Sequence, residues 1–394
     1  MTPAARTQAA IELLDQIIVA ARDGGASADV LIQRGFAARR YAGSKDRRAI
    51  RGLIYDAIRL CGERPDSGRA ALLALAQGDA ALTGTFDGSS YGSAPIGPNE
   101  VPAQPGIAPI WLMDELAASG IGADQAMALL GRASLDLRVN TLKASVVQVR
   151  AALPEAEAID GLDAALRFPS DTSVEKTQPY IDGWIEVQDA GSQVVALAAG
   201  AQAGMRVVDL CAGGGGKTLA LAAAMENSGA LLASDTDRPR LSRLMPRAER
   251  AGVSIVETRL LNPGHEAGPL ADWIGTADVV LIDAPCSGTG TWRRNPEARW
   301  RLTPARLARL VETQARLLDI GAGLVKPGGT LVHIVCSLLD AEGAGQVEAF
   351  LARHPDWTAA PLALALGTPH GPGMRLTPLS HSTDGFFVAK LLRP

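Results

Sequence analysis

Cysteine is scarce in this chain, and long apolar runs are missing. The four cysteines stand at 61, 211, 286 and 336, a spacing that makes neither a zinc site nor a disulfide framework. Free thiols of this kind fit a reducing, cytoplasmic compartment. No run of about 18 apolar residues occurs, which excludes a transmembrane helix. The N-terminus, MTPAARTQAAIELLDQIIVAARDGG, sets Glu12 and Asp15 among its apolar residues and lacks a clear small-residue cleavage site. It reads as an amphipathic helix and not as a signal peptide. No internal repeat is evident. Positive charge does not dominate either: the net charge is −4, which argues against nucleic acid as a partner unless the charge is unevenly spread.

It is unevenly spread. Arg34, Arg39, Arg40, Lys45, Arg47, Arg48, Arg51 and Arg59 face only Asp46 and Asp56 in the same stretch. A second basic stretch holds Arg293, Arg294, Arg299, Arg301, Arg306, Arg309 and Arg316. Each is either a phosphate-contacting surface or a solvated helix face. With 47% hydrophobic and 20% charged residues over 394 positions, the composition is ordinary for a soluble chain of two or three domains.

Residues 1–82 read as a helical domain, with apolar residues at helical spacing in IELLDQIIVAA and AIRGLIYDAIRL. Residues 83–106 are rich in Gly, Pro and Ser and read as a linker. The pattern over 107–200 is mixed. From 201 to 394, strand and helix alternate: MRVVDLC, GALLASD, VSIVETR, ADVVLIDAP and GGTLVHIVCS read as strands, KTLALAAAM and RPRLSRLMPRAERAG as helices. A further helix is expected to start with Thr303 as N-cap and Pro304 at its first position. Such alternation predicts an α/β fold with a mostly parallel sheet, whose ligands bind beyond the carboxyl ends of its strands. Asp209, Cys211, Asp235, Asp283, Cys286 and Cys336 all fall at or just after such ends.

The loop after the first of these strands, Asp209-Leu-Cys211-Ala212-Gly213-Gly214-Gly215-Gly216-Lys217-Thr218, lets backbone approach a ligand closely. A phosphate-cradling loop would need glycine where Cys211 stands, and a dinucleotide fingerprint would need it at Thr218. A loop cradling the amino-acid end of S-adenosylmethionine remains, beside a plain strand-to-helix turn. Asp235, ending the next strand, suits ribose hydroxyls or an N-cap. A ribose without a phosphate site points to an adenosyl cofactor.

Two cysteine motifs follow, Asp283-Ala-Pro-Cys286-Ser-Gly-Thr-Gly290 and His333-Ile-Val-Cys336-Ser337-Leu338. A lone strand-end cysteine is usually a small buried hydrophobe, but two beside serines and an Asp suit a definite chemistry. Carbon 5 of cytosine is a poor nucleophile until a thiolate attacks carbon 6. Charge then develops at N3, where Asp283 could supply or share a proton. A second base or thiol can assist loss of the carbon 5 proton and release. Position alone does not assign the two cysteines.

These motifs resemble those of the RsmB/Sun family of RNA cytosine-5 methyltransferases. Arg138-Val-Asn-Thr-Leu-Lys143, Val187-Gln-Asp-Ala-Gly-Ser192 and Asp384-Gly-Phe-Phe-Val-Ala-Lys390 are similar as well. The likeness covers roughly 107–394 and extends more weakly to Lys45–Arg59, which resembles a NusB-like helical domain. It implies a Rossmann-like class I S-adenosylmethionine-dependent methyltransferase, with 1–82 as a NusB-like RNA-binding domain and 201–394 as the cofactor-binding catalytic domain. Its implied substrate is RNA, ribosomal RNA before transfer RNA, without metal or membrane. It implies Cys336 as nucleophile forming a covalent cytosine adduct, Cys286 in release, Asp283 at the cytosine and near the cofactor, and Lys217 among the catalytic residues. Cys211, Ala212, Gly213, Gly214, Gly215, Gly216 and Lys217 would surround the methionine part, and Asp235 would hold the ribose. The chain departs from the family pattern in three places. Gly213-Gly214 stands for Ala-Pro, Leu261 for a third-strand acid and Val335 for threonine. The first two favour an alternative, an RNA-binding assembly factor with the same fold and little turnover.

Overall fold

The computed structural model describes every residue except 171 and 267. It divides into two compact units, one of residues 1–131 with 291–303, the other of 132–290 with 304–394.

The first unit is helical: α1 (Pro3–Asp23), α2 (Ala28–Ala38), α3 (Ser44–Leu60) and α4 (Gly68–Ala76) form its frame. Thr2 caps α1 by accepting the Ala5 N–H, Pro3 supplies the first helical position, and Gly24 ends the helix at φ 77°. Leu13, Leu14, Ile17 and Ile18 of α1 pack with Ile50, Ile54 and Ile58 of α3, the i, i+3, i+4 stripe that the sequence pattern expects. The Gly/Pro/Ser-rich segment 83–106 contains almost no regular structure, but it is pinned to the helices. Arg69 donates to Glu100, to Ser93 Oγ and to the Ala94 and Pro95 carbonyls, and Phe86 is buried. Its composition reports irregular backbone, not a free tether.

Residues 291–303 join this unit by serving three helix ends, whose outermost backbone groups lack helical partners. Glu297 accepts the Ala28 N–H at the start of α2. Arg299 donates to Ile58, Arg59 and Cys61 carbonyls at the end of α3. Arg301 donates to the Ala20, Gly25 and Ala26 carbonyls after α1. These two arginines, counted above in a possible phosphate-binding stretch, are internal staples. Arg316 of the same stretch pairs with Glu266.

The second unit carries a four-stranded antiparallel sheet and a nine-stranded mixed sheet. The small sheet contains β1 (Leu135–Val139), β2 (Glu157–Ile159), β3 (Leu162–Phe168) and β4 (Ile185–Val187), in the order β2-β3-β1-β4. The large one contains β5 (Arg206–Asp209), β6 (Ala230–Asp235), β7 (Val256–Leu260), β8 (Ala277–Asp283), β9 (Val325–Val335), β10 (Thr358–Ala360), β11 (Thr368–His370), β12 (Gly373–Leu376) and β13 (Phe386–Leu392). Its order is β11-β12-β13-β9-β8-β5-β6-β7, with β10 on β13. Strands β5 to β9 pair in parallel. Successive residues point to opposite faces: Val207, Leu231 and Leu281 enter one core, while Val208, Leu232, Val280 and Ile282 enter the other. Burial on both faces explains the near-continuous apolar runs.

The chain runs outward from β5 through β6 to β7, then returns to β8 on the other side of β5. The carboxyl ends of β5 and β8 therefore flank the switch point of the sheet, where open α/β sheets bind ligands. The expected single helix over RPRLSRLMPRAERAG is two, Arg238–Leu241 and Leu244–Ala251. The second places Pro246 in its first turn, where the missing N–H costs no helical bond.

Candidate active site

The glycine loop runs from the end of β5 into the helix Gly216–Ala224. Gly213 has φ 55° and Gly215 φ 87°, and an added Cβ would lie 2.7 Å from the Arg240 guanidinium at the first and 2.7 Å from Leu244 at the second. The left-handed conformation favours glycine at both, and at Gly215 the branched Leu244 side chain also crowds a Cβ, whereas the Arg240 end can swing away from Gly213. Asp235, at the end of β6, accepts the Gly213 N–H and the Asp237 N–H, each at 2.7 Å on a different carboxylate oxygen. Each oxygen keeps acceptor capacity, so a ribose diol could still donate to it. Arg247 donates to the Gly214 carbonyl at 2.5 Å and to Glu186. Arg240 and Arg247, which the sequence reading passed over, thus flank the loop with positive charge.

Asp209 is fully buried and its Oδ2 accepts the Thr218 hydroxyl at 2.7 Å, while Oδ1 has no partner. Burial pushes its carboxyl up to about 7, against the opposing effect of that hydrogen bond. Burial also raises the Cys211 thiol well above its usual range, reinforced by Asp209, Asp235 and Asp283. Lys217 ion-pairs with Asp283 at 2.6 Å and lies 5.6 Å from the Phe386 ring centre. Burial alone would lower the ammonium, but the charge and hydrogen bond of Asp283 outweigh it and the net direction is up. Its commitment to Asp283 removes the free lysine that a phosphate loop would use.

The raised Asp209 carboxyl carries a pH signature. Its folded value exceeds its unfolded value, so the native state binds more protons between about pH 4 and 7 and loses stability as pH rises through that window. Asp209→Asn is expected to flatten this slope, by up to about 4 kcal/mol across it. Unfolding scans at pH 5 and pH 8 measure the difference. Parallel pH profiles for the two proteins would refute the assignment.

Cys286 follows β8 and Cys336 follows β9, so parallel pairing of neighbouring strands brings their loops together. The two sulfurs lie 3.3 Å apart. The Cys286 thiol is pushed well up, first by its hydrogen bond to Cys336, then by burial and by the charges of Cys336 and Glu342. Around the two cysteines Ser287, Thr289, Ser337, Gln314 and Glu342 form a buried polar network. Of these, only the serines beside the cysteines drew notice in the sequence. Gly290 and Gly385 are in backbone contact, since a Cβ on Gly290 would lie 2.1 Å from the Gly385 carbonyl oxygen. The Gly385 N–H donates to the Gly290 carbonyl at 2.8 Å. The Asp384-Gly-Phe-Phe motif thus closes on the first cysteine loop and supplies Phe386. Arg138 donates to Gln188 at 2.8 Å, and Asn140 donates to the Gly183 and Ala251 carbonyls, so the two upstream motifs brace the small sheet.

The structure gathers Asp283, Cys286 and Cys336 at adjacent strand ends, with Lys217 reaching Asp283 from the first turn of the helix Gly216–Ala224, and Asp235 with residues 211–216 beside them. Leu261, where a third acid was looked for, is 3% exposed and packs with Trp273 and Leu270. Among the described residues no helix is long and apolar enough to cross a membrane, and no group of three or more His, Cys, Asp or Glu could hold a metal ion.

This sheet order, with its glycine loop and strand-end acid at the switch point, is the Rossmann-like methyltransferase fold. Residues 196–392 match the family described as 16S rRNA methyltransferase RsmB/F, and the chain belongs to that family. It is 39% identical over 273 residues to the probable ribosomal RNA small subunit methyltransferase B of Synechocystis sp., covering 66% of this chain and 60% of that protein. It is 37% identical over 231 residues to ribosomal RNA small subunit methyltransferase B of Salmonella typhi, covering 58% of this chain and 52% of that one. The match thus spans little more than half the length of these relatives. Among solved structures, a methyltransferase homolog protein from Pyrococcus horikoshii superposes with TM-score 0.61 at 27% identity, over 73% of this chain and 100% of that one.

Proposed function

We propose that this protein transfers a methyl group from S-adenosylmethionine to carbon 5 of a cytosine in RNA, with ribosomal RNA as the favoured substrate. The observation that carries the reading is the pair of thiols 3.3 Å apart beside the Lys217–Asp283 ion pair. The names of the ribosomal RNA relatives support the substrate class. The N-terminal helical unit, with Arg34, Arg40, Lys45 and Arg48 exposed, supplies the cations for a phosphate backbone.

The residues present fit the cofactor. Asp235 would hold the ribose, and the backbone from Cys211 to Gly216 with Lys217 would surround the methionine part. Bound there, S-adenosylmethionine supplies an electrophilic methyl group. Cys336 attacks carbon 6 as thiolate, breaking the 5,6 double bond and moving electron density toward N3. The Lys217–Asp283 pair holds a proton where that charge develops. Carbon 5 then takes the methyl group. A water molecule takes the carbon 5 proton, the carbon–hydrogen electron pair re-forms the 5,6 double bond, and the carbon 6–sulfur pair leaves with Cys336 as thiolate; the Cys286 thiol, 3.3 Å away, is placed to donate a hydrogen bond to the departing sulfur. No step requires a metal.

Incubation with methyl-labelled cofactor and ribosomal or transfer RNA, followed by nucleoside digestion, is expected to give 5-methylcytidine. RNA binding with no transferred label would instead support the assembly-factor reading, which the burial of apolar Leu261 in place of an acid favours. Within the same assay, Asp235→Ala is expected to weaken cofactor binding by about 1.5–3 kcal/mol, the cost of losing hydrogen bonds to a charged group. Calorimetry with unchanged affinity would remove Asp235 from the ribose.

A further inference from the structure

The carboxylate of Glu342 is fully buried, and among the described residues no cation pairs with it. Its oxygens are served only by neutral donors. Oε1 accepts the Ser287 N–H at 2.8 Å and a Gln314 amide hydrogen at 3.0 Å, and Oε2 accepts from the Ser287 hydroxyl. Gln314 gives its other amide hydrogen to the Pro285 carbonyl at 2.9 Å, leaving its own carbonyl oxygen without a partner. Three donors and no donated proton are what an ionised carboxylate takes.

That assignment fixes the direction of every hydroxyl in the network. Thr289 Oγ1 accepts the Leu338 N–H at 2.9 Å and lies 3.1 Å from Ser337 Oγ. Ser337 Oγ accepts the Leu339 N–H at 3.1 Å and lies 3.1 Å from Ser287 Oγ. Each hydroxyl has one proton, and Ser287 donates its own to Glu342. Ser337 then donates to Ser287, and Thr289 to Ser337. The chain Thr289 to Ser337 to Ser287 to Glu342 runs one way and ends on the negative charge. Ser287 is the neighbour of Cys286 and Ser337 the neighbour of Cys336. The relay therefore ties the two cysteine loops to each other and ends on the Cys286 side.

We propose that Glu342 is the positioning residue that locks the Cys286 and Cys336 loops together, anchoring a one-way relay of hydrogen bonds from the serine beside each cysteine. The other titratable or charged groups around the two thiols are the Lys217–Asp283 pair, His333 on β9 and Glu342 behind Ser287. His333 is buried and lowered by that burial, so it stays neutral, its Nε2 3.0 Å from the Glu342 carbonyl. Through Ser287, Glu342 sits one hydrogen bond from the residue next to Cys286, and its charge adds to the upward push on the Cys286 thiol. Replacement by glutamine keeps the size and the acceptor for Ser287 N–H but puts an amide donor against the Ser287 hydroxyl, which reverses the relay.

The inference rests on the two-cysteine reading, so its test includes a measurement that needs no RNA. Alkylation of each cysteine by iodoacetamide, followed by peptide mass spectrometry from pH 6 to 9, reports thiolate fraction directly. In the wild type Cys286 is expected to label slowly at neutral pH. In Glu342→Gln the Cys286 rate at neutral pH is expected to rise about tenfold, equivalent to a one-unit shift of its profile, with the melting temperature little changed. Turnover should fall about tenfold while the KM for cofactor stays within about twofold, and Glu342→Asp should recover part of the loss. Cys286 labelling unchanged in both Glu342→Gln and Glu342→Ala overturns the proposal. So does equal labelling of all four cysteines accompanied by a lowered melting temperature, which would make Glu342 a packing residue only. A protein that methylates nothing but shows the labelling shift keeps this inference and sinks the cytosine chemistry instead.

Discussion

Cys336→Ala is expected to abolish both methyl transfer and any covalent protein–RNA species, whereas Cys286→Ala accumulates that species. The asymmetry follows from the order of events. Without an attacking thiolate, carbon 5 stays a poor nucleophile, so the loss should be at least about 10³-fold. Without Cys286, attack and methyl transfer proceed but breakdown slows, leaving a band that survives denaturing electrophoresis. The sulfurs are 3.3 Å apart, so either could reach a base from geometry alone. The resemblance of the two motifs to the family pattern is what assigns attack to Cys336 and release to Cys286. The double variant should behave like Cys336→Ala, because release is irrelevant when attack never occurs. RNA trapped by Cys336→Ala and not by Cys286→Ala would exchange the roles. No adduct in any variant would reduce both cysteines to packing.

Most of the large sheet could be read in the sequence because its strands are buried on both faces. Runs such as ADVVLID and LVHIV admit few other readings, and the switch point then follows from the alternation of strand and helix. The glycine loop was legible for a related reason, since four consecutive glycines have few structural uses. The polar support was not legible. Glu342 lies six residues beyond Cys336, on a loop that enters the helix Ala344–Arg353, and an acid there reads as an ordinary helix-start charge. Its partner Gln314 comes from a different helix, so the pairing exists only once the fold does. Arg299 and Arg301 were not legible as helix-end donors for the converse reason. Charge along a sequence does not say whether a guanidinium faces solvent or the end of a helix.

Arg299 makes that last distinction measurable. It is 0% exposed, and burial lowers its guanidinium to about 10, so it stays charged at neutral pH. One terminal nitrogen donates to the Pro296 carbonyl at 2.5 Å, the other to the carbonyls of Ile58, Arg59 and Cys61 at 2.5, 3.2 and 2.9 Å. The Trp300 indole N–H adds a donor to Cys61 at 3.1 Å. The last carbonyls of α3 have no helical partners, and a cation there also meets the negative end of the helix dipole. Arg299→Ala leaves several of these carbonyls buried and unserved, and opens a cavity beside Trp300. The expected cost is about 3–5 kcal/mol. Arg299→Lys should recover only part, because an ammonium lacks the planar fork that reaches carbonyls on both sides. A melting temperature registers a loss of stability without saying which part of the chain loses it. Hydrogen exchange resolved by peptide is the better measure: protection should fall over 291–303 and the end of α3 while peptides from β5 and β8 hold theirs. Were Arg299 a phosphate contact, alanine would leave that protection intact and lower only RNA affinity and its salt dependence, by roughly one phosphate's worth of slope.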